Sequence, residues 1–191
     1  MPKAKQLTII MPTEYFFPSD RGGSEWSSYY LAKKLIAKGY RVIIFTPNYG
    51  AKTNQLWQGI DIYRFSFIGR NTPQGVSPFW HTNIFWFVSS LFFLLKLCLK
   101  THPTVIHIQG KYFLPAAVIV GKLLNLPVVF TVRDYQILCN TGLCLRHKPR
   151  ACSLIQYLTS EVWQYLTDYF PRASILQKAI QLVALIRSRL I

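Results

Sequence analysis

Acidic residues are scarce in this chain. Its 191 residues hold 7 Asp and Glu against 22 Lys and Arg, a net charge of +15. That imbalance favours anionic partners such as membrane lipids, nucleic acid or phosphorylated substrates. The basic residues are scattered, without the clustered patch of a nucleic-acid binder, so nucleic acid is not an expected partner. A long apolar run is missing near the start: Leu7-Thr8-Ile9-Ile10-Met11 is about five residues long and then breaks. No secretory signal is therefore expected, and the expectation is a cytoplasmic protein, extending to the inner face of the membrane. No complete G-x-G-x-x-G fingerprint occurs, so a nicotinamide or flavin site is not expected. Internal repeats and low-complexity linkers are also lacking, and the length fits one domain, alone or with an extra element.

Cysteine is sparse as well. Three of the 4 cysteines, Cys139, Cys144 and Cys152, share a stretch with His147, at a spacing that matches no common paired Cys-x-x-Cys pattern. In a reducing cytoplasm free thiols are the expectation and no metal is assigned; a zinc site is the alternative. Lys148 and Arg150 make this stretch basic and suited to an anionic acceptor.

Apolar residues, by contrast, are plentiful at 51% of the chain, ample for a core. The first apolar run is followed by a loop, by Arg21-Gly22-Gly23-Ser24-Glu25, by an amphipathic helix and by a second run, Val42-Ile43-Ile44-Phe45-Thr46. Ser24 reads as the helix N-cap. Ser28, Leu31, Ala32, Leu35 and Ile36 repeat at helical spacing, and Gly39 stands where a left-handed C′ residue is expected. Without a Cβ, Gly22 and Gly23 let bare N–H groups approach a phosphate at which the helix also points its positive end. The alternative is that the pair only makes a tight turn.

Strands and helices continue to alternate. Gly59–Phe65 has period two and reads as a strand at the sheet edge, residues 66–78 as a loop, and Val105-Ile106-His107-Ile108 as a buried strand. Pro115–Leu124 reads as a helix with proline in its first turn, Val128–Val132 as a strand, and Leu154–Tyr169 and Ala173–Arg189 as closing helices. The pattern implies an α/β, Rossmann-like, doubly wound and mainly parallel sheet with helices on both faces. Residues 1–152 would form that domain, and 153–191 its terminal helices. Ile84–Leu99 is intensely apolar but only 16 residues long and interrupted by Lys96. Three readings stay open for it: a helix packed on the sheet, a helix dipping into a membrane interface, or a span.

Ligands of such folds lie outside the carboxyl ends of the strands. That rule selects the loop after Met11, the segment His107-Ile108-Gln109-Gly110 and the segment Arg133-Asp134-Tyr135. A guanidinium pairs with phosphate in bidentate fashion, and Asp134 would fix Arg133 or accept from a sugar hydroxyl. His107 either donates to the same ligand or is a satisfied core residue.

Arg-Gly-Gly-Ser-Glu at 21–25, Ala-Lys-Gly-Tyr-Arg-Val at 37–42, Val-Ile-His-Ile-Gln at 105–109 and Thr-Val-Arg-Asp-Tyr-Gln-Ile-Leu-Cys at 131–139 together resemble the N-terminal half of a family 4 glycosyltransferase. The resemblance runs from Leu7 to about Cys152. It implies the GT-B architecture, two Rossmann-like domains across a cleft, with the acceptor on the N-terminal domain and a nucleotide-sugar donor on the C-terminal one. It implies retention at the anomeric carbon, no cofactor and no catalytic metal. Gly22, Gly23, Glu25, His107 and Gln109 then fall on the substrate side, and Arg133 and Asp134 at the catalytic positions.

Two departures matter. The residue before Asp134 is commonly histidine in the family; Arg133 is permanently cationic, so its role is electrostatic and not that of a base. The expected donor-binding half, with its Glu-rich motif, does not follow Cys152. The chain alone is therefore expected to be inactive, as a fragment, one half of a split enzyme or a remnant. The expected partners are a nucleotide-sugar, a glycan acceptor (lipid-linked or surface polysaccharide), anionic membrane and a separate donor domain. The rival reading is a non-catalytic module that binds membrane or a partner.

Overall fold

The computed structural model describes residues 6–67, 84–133 and 162–168, together with Ile175, Lys178, Ala179, Leu182 and Val183. It divides into two units, Met1–Thr131 and Val132–Ile191. The first holds β1 (Thr8–Pro12), α1 (Gly23–Ala37), β2 (Arg41–Pro47), β3 (Asn54–Trp57), β4 (Ile60–Phe65), α2 (Ile84–Thr101), β5 (Val105–Ile108), α3 (Leu114–Leu124) and β6 (Val128–Phe130). In the second, α4 spans Trp163–Asp168 with Val162 and Leu166 buried, and the five later described positions are helical.

The six strands form one sheet in the order β3-β4-β2-β1-β5-β6. β1 pairs in parallel with β2 and β5, β2 with β4, and β5 with β6; among the described residues only β3 runs antiparallel. A parallel strand covered on both faces needs apolar side chains at every position, and β1 is buried along its whole length. Its alternate residues divide between two cores. Ile9 and Met11 join Val42, Ile44, Ala32 and Ile62 on the α1 face. Ile10 joins Ile43, Phe45 and Ile106 with Trp86 and Leu94 of α2 and Val120 of α3 on the other. The Rossmann-like, mainly parallel architecture is present, with helices on both faces.

Several local expectations change. The N-cap of α1 is Gly22, and Ser24 lies inside the first turn. The C-terminal signal reads correctly: Gly39 has φ +89, its N–H donates to Ile36 O at 2.9 Å, and Tyr40 N–H donates to Leu35 O at 3.1 Å, which is a Schellman closure. β4 is not the sheet edge, because β3 folds back on it. Gln58 and Gly59 both take positive φ, 49 and 80, and link Trp57 to its partner Ile60 in a two-residue hairpin whose twist suits the strands. β6 ends at Phe130, two residues earlier than expected. The predicted loop 66–78 is described only at 66–67, and most of the helix predicted from Leu154 lies outside the described residues.

α2 has 18 residues and packs Trp86, Ser90, Leu94, Leu97 and Cys98 inward. Burial pushes the Cys98 thiol up to about 12, so it behaves as a small apolar side chain, with little thiolate to react.

Candidate functional site at the ends of the central strands

Strand order reverses around β1, whose successors lie on one side and β5 on the other. The loops leaving the carboxyl ends of β1 and β5 therefore meet, and the backbone ties them together. Gln109 N–H and Gly110 N–H both donate to Pro12 O, at 2.8 and 3.1 Å.

The glycine loop is organised by Glu25, which is 4% exposed. Its carboxylate accepts from Gly22 N–H at 2.8 Å, from Arg21 N–H at 3.3 Å and from the Ser24 hydroxyl at 2.6 Å. A carboxylate at the third helical position that reaches back to the N-cap N–H is half of a capping box; glycine supplies no side chain for the other half. The N–H groups of Gly23, Ser24 and Glu25 have no helix carbonyl before them. Gly22 has φ 176, extended backbone open to any residue, and a Cβ built at Gly22 or Gly23 meets none of the described residues within 4 Å beyond its own neighbours along the chain. Among the described residues, neither a positive φ nor a clash requires glycine there.

Glu14, which sequence reasoning passed over, closes the other side. Its Oε1 accepts from Tyr112 N–H at 2.8 Å, and its backbone carbonyl accepts from the Tyr49 hydroxyl at 2.9 Å. Oε2 would lie 1.9 Å from a Cβ at Gly110, so glycine at 110 makes room for the carboxyl. Burial pushes the Glu14 carboxyl above the ordinary carboxylate range, outweighing the Tyr112 N–H and Lys111, which act the other way, and Glu25 adds to the rise. Burial likewise raises the Tyr49 hydroxyl. Tyr49 stacks on Tyr15, over which Arg21 sits at 4.5 Å. One signal was available: Glu14, Asp20 and Glu25 fall within twelve residues of a chain that holds 7 acids in all.

A raised folded value has a definite sign. Below the ordinary carboxylate value Glu14 is neutral in both states and has no effect on stability. As pH rises from there to the raised value, the unfolded chain releases its proton first and the folded state loses stability. Relative to wild type, Glu14→Gln is therefore expected to gain Tm across that window and then level off, as read by thermal melts from pH 4 to 8. A difference that falls with pH would mean a carboxylate stabilised by its neighbours.

His107 Nε2 lies 2.9 Å from Thr131 Oγ1, and Gln109 Nε2 donates to the same hydroxyl at 3.3 Å. Both side chains are thus tied to one threonine beyond the end of β6. Arg133 belongs to the second unit. Asp134, Cys139, Cys144, His147 and Cys152 lie outside the described residues.

An aromatic wall begins one turn along α1. Trp26 and Tyr30 are 45% and 60% exposed. Phe17 packs edge-on to Trp26 at 4.9 Å and stacks on Trp57 of the β3–β4 hairpin at 4.8 Å. The Tyr29 hydroxyl donates to the Gln58 side chain, so polar groups border the rings. Arg64, 2% exposed, ties hairpin to loop: its guanidinium donates to Phe17 O at 2.6 Å, Lys52 O at 2.8 Å and Gln55 Oε1 at 3.1 Å.

Among solved structures, sucrose-phosphate synthase from Thermosynechococcus elongatus aligns with a TM-score of 0.53 and 15% identity, over 85% of this chain and 41% of that one. Os79 from O. sativa, solved in complex with UDP, aligns with a TM-score of 0.47 and 12% identity, over 65% of this chain and 28% of that one. The chain thus spans less than half the length of either. No curated protein matches it by sequence. The family model for Glycosyltransferase Family 4 matches residues 21–173, which covers the glycine loop, the segments 107–110 and 133–135, and the sheet from β2 onward. The chain belongs to Glycosyltransferase Family 4.

Proposed function

We propose that this chain is the acceptor-side half of a glycosyltransferase that moves a sugar from a nucleotide-sugar to a glycan acceptor with retention. The observation that carries the reading is the pair Gly22 and Gly23. They sit at a helix N-terminus beside the end of the central strand, and no positive φ or clash with the described residues requires their glycine character. Bare backbone at a helix start suits close approach of a phosphate. Glu25 holds that loop in shape, while His107 and Gln109 contribute from the neighbouring strand end.

Arg133 offsets the charge that builds on the leaving phosphate, and Asp134 orients Arg133 or accepts from a sugar hydroxyl. Trp26 and Tyr30 offer flat faces to the apolar side of an acceptor sugar, with Gln58 and the tyrosine hydroxyls for its polar groups. The acceptor is lipid-linked or a surface polysaccharide, and the setting is the cytoplasm at the inner membrane face. A donor-binding domain completes the cleft, and half a cleft excludes too little water to support transfer.

The test supplies the donor-binding half, fused or in trans, and measures nucleotide release and product anomer with candidate sugar donors. The chain alone is expected to turn nothing over, and Arg133→Ala or Asp134→Ala to lower the completed activity about 100-fold. Full activity in both variants would refute the assignment of those residues. The second reading, a non-catalytic docking module, is favoured by the exposed apolar side of α2. It gains if no completed form transfers sugar while the chain still binds its surface.

A further inference from the structure

α2 has two apolar sides, and among the described residues one of them is packed into the core. Trp86, Leu94, Leu97 and Cys98 are buried in the core shared with the sheet. On the opposite side Phe85, Val88, Phe92 and Leu99 are 53–59% exposed. Spaced by three, four and seven residues, they form one stripe along the helix. α2 is long and apolar enough to cross a membrane by length and composition, yet only 28% of it is buried. α3 packs beside α2 on the same face of the sheet and exposes Val118, Ile119 and Leu123. Isolated exposed apolar side chains are ordinary, but seven on two helices that pack against each other are the kind of concentration that marks an interaction site.

Its charge narrows the occupant. Lys96, Lys100 and Lys122 are exposed on the same two helices, and neither helix contains an acidic residue. A chain of net charge +15 adds long-range attraction to any anionic surface. Aromatic and aliphatic side chains bordered by lysine suit the boundary between acyl chains and anionic headgroups. The inward side of α2 is committed to the core, which opposes a spanning orientation.

We infer that the solvent side of the α2–α3 layer docks on an anionic lipid bilayer, with Phe85, Val88, Phe92 and Leu99 entering the headgroup–acyl boundary and the three lysines against lipid phosphates. This docking rests on the membrane setting proposed above; its failure would remove that setting and the docking-module reading and leave the sugar-transfer reading standing.

Vesicle flotation tests it, with phosphatidylcholine alone and with about one-third phosphatidylglycerol. The chain is expected to float with the anionic vesicles and to be released at about 0.5 M NaCl, where screening shortens the reach of charge. Replacing Lys96, Lys100 and Lys122 together by glutamine should weaken partitioning about 100-fold, roughly fivefold per lysine. Phe85→Ser with Phe92→Ser should weaken it more than about tenfold. Because these side chains are exposed, both variants should melt at the wild-type temperature, which separates docking from unfolding. Equal binding to both vesicle types, or none to the anionic ones, overturns the inference. So does binding that resists alkaline carbonate, which would mean a spanning helix. A dimer dissolved by the phenylalanine variant, without vesicle binding, overturns it in favour of a second copy of the chain.

Discussion

Valine at Gly23, in the completed transferase, is expected to lower turnover about 100-fold or more while shifting stability by no more than roughly 0.5 kcal/mol. The two effects separate because the glycine has no structural duty. Gly23 is the first residue of α1, and a Cβ there meets none of the described residues within 4 Å beyond its own neighbours along the helix. A side chain at this position instead occupies the space through which a phosphate would reach the helix N-terminus. Misplacement of reacting groups by about 1 Å can cost about 100-fold in rate. Paired measurements of Tm and of sugar transfer decide the matter. Parallel losses would return the glycine to a role in the turn. Unchanged transfer would place the ligand elsewhere.

Arg64→Leu is expected to destabilise the chain by about 3 kcal/mol, lowering Tm by roughly 6–12 °C. The guanidinium satisfies two backbone carbonyls, Phe17 O and Lys52 O, and the Gln55 amide oxygen. Leucine would leave all three acceptors in place without a donor, the expensive way to lose a hydrogen bond. Arg64→Lys should recover only part of the loss, since an ammonium cannot present a planar fork to several carbonyls. Because Phe17 is one of the rings behind Trp26, Arg64→Leu should also change the fluorescence of the tryptophans around it. A Tm within a degree or two of wild type would show that water replaces the guanidinium at little cost.

The sheet was readable because its strands follow a simple rule. Thr8–Pro12 and Val105–Ile108 are short apolar runs bounded by loops, and burial on both faces needs little more than that. α1 was readable from its spacing and its closing glycine, each a local signal. β3 was not. Asn54-Gln55-Leu56-Trp57 carries no apolar run, and it becomes a strand only because the Gln58-Gly59 turn brings it against β4. Ser24 misled for a related reason: serine favours the cap in isolation, but Glu25 reaching back to Gly22 N–H fixed the cap two residues earlier.

The site divides along the same line. Gly22, Gly23, Glu25, His107 and Gln109 were picked from the glycine turn, the strand-end rule and the family resemblance, and the fold brings the loops after β1 and β5 to one rim. Glu14 and Arg64 stayed hidden, as did the reason for glycine at 110, since each matters through a partner far along the chain. Glu14 and Tyr112 are 98 residues apart, and Arg64 and Phe17 are 47.

From sequence alone came the α/β class, the strand–glycine–helix opening and the excess of positive charge, because periodicity, turn chemistry and composition are local or additive. Only the tertiary structure decided which carboxyl is buried, which glycine makes room for it and which side of α2 is left uncovered. Those depend on which surfaces meet when distant segments pack, and a one-dimensional pattern does not contain that information.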